Sequence, residues 1–210
     1  AVREVVLGRS QGDAQCVEQQ QLGLFDYGCG QHVWRQAVRE GGQLRSVPNA
    51  YQMRECDFGS EPQWAMSIPW GDVVTAAYST GIANISVFVP APKPMIRVLR
   101  GLDWLRPLLG AAWLQRALVA LVERWVKGPT AEQRASLHTQ VWGEVRNAAG
   151  AVKVGQLQTS NGYALTVHSA LHVVQALLAE APAGGYYTPA QLLGWQLVEH
   201  LPDCGKIVIH

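Results

Sequence analysis

Apolar and polar positions recur along the chain with two periods, and these assign most of the elements. Residues 1–8, "AVREVVLG", read as a strand ending at Gly8, and the polar "RSQGDAQCVEQQQ" after them as a loop. Residues 22–27 read as a second strand. In "QHVWRQAVREGG", Val33, Trp34, Ala37 and Val38 fall at helical spacing and Gly41-Gly42 follows, which predicts a helix that stops at the glycines. "QLRSVPNAYQMRECDFG" is extended and ends in a glycine turn, and the β-branched run from Ile85 to Val89 predicts a strand. Between "QWAMSIPW" and that strand, Asp72 is placed to N-cap a short helix over Val73 to Ser79, with Gly81 ending it.

Residues 93–127 carry the pattern of a helical hairpin. Met95, Val98, Leu99, Leu102, Leu105 and Leu109 form an apolar stripe, Pro107 bends or ends the first helix, and the second runs from Trp113 to Trp125. "TAEQ" at residues 130–133 fits a capping box. Residues 137–160 then alternate as a β-hairpin about the "NAAG" turn, and a change of apolar parity between Val154 and Leu157 predicts a bulge at Gly155. Asn161 is placed to cap a helix from Gly162 to about Glu180. "TPAQ" (Thr188 to Gln191) is a second capping box, with Pro189 opening a helix that runs to about His200, and "GKIVIH" closes the chain as a strand. This order predicts an α+β fold: a mixed, largely antiparallel sheet with helices on one face and the hairpin 93–127 as an insertion, without a Rossmann domain.

Composition narrows the function classes. Charged residues make up 16% of the chain and the formal net charge is +1, which argues against a nucleic-acid groove. So few charges point to a surface covered in part by a partner or another domain, and eight Trp residues must be buried, at an interface, or both. Cys16, Cys29, Cys56 and Cys204 show no CxxC spacing, the pattern of reduced thiols in a cytoplasmic protein. The chain opens without Met and without a signal peptide, which is the expectation for a fragment or a processed chain. No uncharged apolar run is expected to reach the roughly 18 residues of a membrane span.

Candidate chemistry is sparse. "GCGQHV" offers Gly28 and Gly30, but Val33 stands where a dinucleotide fingerprint needs its third glycine. His168 and His172 have metal-ligand spacing on a helix, but no third ligand is evident, and core or interface histidines explain them better. Cys29 and His32 lack an orienting third group for nucleophilic chemistry. The Trp-rich hairpin fits either a core- or dimer-closing element or a peripheral membrane contact. The remaining polar cluster, Asp72, Tyr78, Ser79, Thr80 and Asn84, lies between two apolar runs, where loop residues often build binding sites and where turn chemistry gives the same composition.

Four stretches in order, "SIPWGDVVTAAYSTGIANISVFV", "GPTAEQRASLHTQVWGEVRNAAG", "NGYALTVHSAL" and "GGYYTPAQLLGWQLVE", resemble the C-terminal part of bacterial saccharopine dehydrogenase-like oxidoreductases, including the trans-acting enoyl reductases. The resemblance spans roughly residues 40 to 201; the first forty residues match poorly. Full-length members carry an N-terminal Rossmann domain that binds NAD(P). The resemblance therefore implies that residues 1–210 form a single substrate-binding and oligomerisation domain. NAD(P) is its cofactor only where a Rossmann domain of the same or another chain supplies it. It implies a small-molecule substrate, a homo-oligomer, and a cleft lined by Asp72, Tyr78, Ser79, Thr80 and Asn84 facing Tyr163 and the free N–H groups at the start of the 162–180 helix. A non-catalytic relative that binds a ligand or partner, and a membrane-surface module, are the competing classes.

Overall fold

The computed structural model describes residues 2–11, 36–59, 61–102, 111–125 and 136–210. Nine strands among them form one sheet: β1 (Val2–Gln11), β2 (Gln36–Glu40), β3 (Gln43–Val47), β4 (Met53–Asp57), β5 (Pro62–Ile68), β6 (Ile85–Pro90), β7 (His138–Asn147), β8 (Val152–Ser160) and β9 (Val208–Ile209). The helices are α1 (Asp72–Thr80), α2 (Lys93–Gly101), α3 (Ala112–Trp125), α4 (Gly162–Ala179) and α5 (Pro189–Leu193), followed by a 3-10 turn over Trp195–His200. The spatial order is β3-β2-β6-β1-β7-β8-β9, and β5, with β4 beyond it, also pairs with β6. β6 is the branch point: Ile85 pairs with Arg39 of β2, while Val87 to Pro90 pair with β5. Only the β1–β6 ladder is parallel; the others are antiparallel, so the expected mixed, largely antiparallel α+β class holds.

All six residues of β6 are buried, because both faces of the strand are covered. Ile85, Val87 and Val89 point to one face. There Ile85 and Val87 meet Val73 of α1, and Val89 and Met66 meet Ile96 of α2, so two helices share that face as the pattern predicted. Phe88 points to the other face and joins Cys56, Phe58, Ala65 and Trp142, with Val154 against them. β4 and β8 lie at opposite ends of the path through β5, β6, β1 and β7. Even so, the Gln156 Nε2–H donates to the Asp57 carbonyl at 2.9 Å. The sheet therefore curls around the Phe88–Trp142 cluster, as twisted sheets of this width do.

Several expectations need correction. Gln36 to Glu40 form a strand, not the end of a helix, and Gly41-Gly42 are the two central residues of a tight hairpin to β3, with φ of 58° and 83°. A pair of glycines with positive φ is what a two-residue hairpin turn requires, and here it overrides the helical spacing before it. Asp72 does not cap α1: Gly71 holds the N-cap position with no side-chain bond, and Asp72 lies in the first turn, where its charge favours the helix dipole. Gly81 does end α1, at φ 69°, its N–H donating to the Ala77 carbonyl. No bulge occurs at Gly155; the β7–β8 register runs unbroken and sets Gly155 opposite Gly143, with β9 beside it. Both faces of β8 are only partly covered there, so apolar parity does not control the register.

Asn161 caps α4 as expected, accepting from the Tyr163 N–H at 2.9 Å, and the Thr188–Gln191 capping box is complete. The last helix is broken at Gly194, φ 82°, and continues as the 3-10 turn. α4 holds 18 residues without a charge and is, by length and composition, long and apolar enough to cross a membrane, contrary to the expectation that no such run exists. The expected strand at 22–27, the Pro107 bend, the connection within the helical hairpin, the 130–133 capping box, Gly28, Gly30, Val33, Cys29 and His32 lie outside the described residues.

Candidate functional site

The C-terminal end of α1 is where the polar cluster was expected, and its partner is the segment 186–191. The Tyr78 hydroxyl donates to the Tyr186 carbonyl at 2.7 Å, and the two rings meet edge to face with centroids 5.1 Å apart. Ser79 Oγ donates to the Thr75 carbonyl and lies 2.9 Å from Thr188 Oγ1. Gln191 Nε2 donates to the Tyr78 carbonyl at 3.4 Å, so the capping side chain of α5 also closes the end of α1. The first and fourth sequence stretches thus meet through side chains that each has reason to carry locally: hydroxyls on α1 and a Thr–Gln cap on α5.

Of the other expected site residues, Thr80 and Asn84 serve the fold. Thr80 Oγ1 donates to the Ala76 carbonyl and accepts from the Ile82 N–H at 3.3 Å, which shapes the turn after α1. Asn84 Oδ1 accepts from the Gly41 N–H at 2.8 Å and fixes the β2–β3 hairpin against the strand entering β6. Asp72 is exposed. Tyr163 is half exposed, and its N–H, one of those at the helix start, is taken by the capping Asn161 Oδ1.

A second polar group gathers where β8 enters α4. Thr139, Thr159, Ser160 and Asn161 are all buried. Thr159 Oγ1 donates to the Ser160 carbonyl at 3.0 Å. Thr139 Oγ1, Ser160 Oγ and the Asn161 amide Nδ2 have no hydrogen-bond partner. Unspent buried donors are costly and uncommon, so their clustering at a helix start marks a place where a buried water or a polar ligand group would gain hydrogen bonds. The sequence flagged Asn161 only as a cap; the burial of its amide depends on the hairpin register and has no local signal.

On the Phe88 face, Arg54 of β4 binds Glu144 of β7 at 2.8 Å, and Arg146 approaches the same carboxylate at 3.4 Å. The Arg54 guanidinium also lies 4.8 Å from the Trp142 ring centre. The hydrogen bond from Arg54 holds the Glu144 carboxyl below its usual value, outweighing burial, which acts the other way. Burial pushes the Cys56 thiol up to about 11, so it stays protonated at neutral pH and is not a nucleophile. His172 Nδ1 is 2.9 Å from the His168 carbonyl, so that ring nitrogen is engaged within the helix; no cluster of metal-ligating side chains occurs among the described residues.

These features define a curled, mixed-sheet α+β domain with two helices on one face and a polar junction at the start of a long apolar helix. No family model and no curated protein matches the sequence. Among solved structures, the apo saccharopine dehydrogenase (L-Glu forming) from Saccharomyces cerevisiae is similar with a TM-score of 0.54, over 100% of this chain and 67% of that one, at 9% identity. The likeness is one of fold.

Proposed function

We propose that the chain is the substrate-binding and assembly domain of a saccharopine dehydrogenase-like, NAD(P)-dependent oxidoreductase whose cofactor domain is supplied by the same or another polypeptide. The unpaired donors of Asn161 and Ser160 at the start of α4 are the observation that carries the reading. Together with the fold likeness and the four family-like stretches, they favour a polar small-molecule substrate seated there. Hydride transfer needs the nicotinamide and the substrate carbon held together in a dry cleft. The cofactor carries the chemistry; this domain contributes placement and hydrogen bonds. Of the expected cluster, Tyr163, half exposed, and Asp72, exposed, are left open to a ligand, whereas the Tyr78 hydroxyl is spent on the Tyr186 carbonyl.

NADPH titration followed by nicotinamide fluorescence tests this. The 210-residue chain is expected not to bind, and a polypeptide joining it to a Rossmann domain is expected to bind. Absence of NADPH binding in both removes the oxidoreductase reading. In the joined polypeptide, Asn161→Ala is expected to raise KM for substrate while NADPH affinity is unchanged.

A further inference from the structure

We draw no further inference here: the strongest candidate, the exposed apolar face of α4 formed by Tyr163, Val167, Leu171, Val174 and Leu178, carries none because nothing in the structure shows what covers it.

Discussion

Glu144 shows what a single residue can report. Its carboxylate is largely buried and held by Arg54, so its folded-state pKa lies below the ordinary value of 4.5. A depressed carboxyl pKa means the unfolded chain binds protons first as pH falls. The pair's contribution is then complete above about pH 4.5 and is lost as pH drops through the lower folded value. Glu144→Gln is expected to destabilise the fold by about 1–2 kcal/mol at neutral pH, with Arg54 partly solvated. In urea titrations this difference is expected to shrink at acid pH; a constant difference would disconnect the carboxylate from stability. The two partners are 90 positions apart in the chain, and neither has a local pattern that marks it. Arg54 and Glu144 read as ordinary charges on alternating strands, and only the curl of the sheet brings them together. Tyr78 and Ser79 were legible as a polar cluster, but their partners Tyr186 and Thr188 were not, since a hydroxyl's bond depends on what the fold places beside it.

At the scale of elements, local chemistry was readable where a cap or turn depends on neighbours in sequence. The Thr188–Gln191 capping box, the Asn161 cap and the Gly81 stop each involve groups within four residues of one another, and each is present. The misreading of Gln36 to Glu40 has the same root. Five residues are too few for spacing to separate helix from strand, and the glycine pair after them was the decisive signal. Gly42 adopts φ 83°, and a Cβ there would meet no atom within 4 Å. Gly42→Ala is therefore expected to cost about 1 kcal/mol through backbone strain alone, and Gly42→Asn less, because Asn tolerates the left-handed region. Equilibrium unfolding of the two variants checks this; equal costs would point to a lost contact instead.

For the whole molecule, the curled sheet turns separate strands into one core. Trp142, 4% exposed, shares one core cluster with residues of β4, β5 and β6 from its place on β7. Trp142→Ala is expected to be the most costly of these substitutions, about 3–5 kcal/mol, because the cavity opens at the centre of the curl. Thermal and urea unfolding measure it, and a cost near 1 kcal/mol would mean the curl does not depend on this ring. Burial is also where sequence and structure part most clearly. The apolar pattern of α4 reads as that of a core helix, yet six of its large side chains face solvent in the protomer. That mismatch cannot be seen in the spacing alone.

The sequence by itself determined the α+β class, the strand β6, the β7–β8 hairpin and the caps of α4 and α5. These follow from period, propensity and short-range hydrogen bonds, all of which act between near neighbours. Tertiary structure alone decided the branching of the sheet at β6, the Arg54–Glu144 clamp, the junction of α1 with residues 186–191, the stranded donors at the start of α4 and the exposure of its apolar face. Each depends on contacts between positions far apart in the chain, and such contacts are set by how the sheet twists and closes.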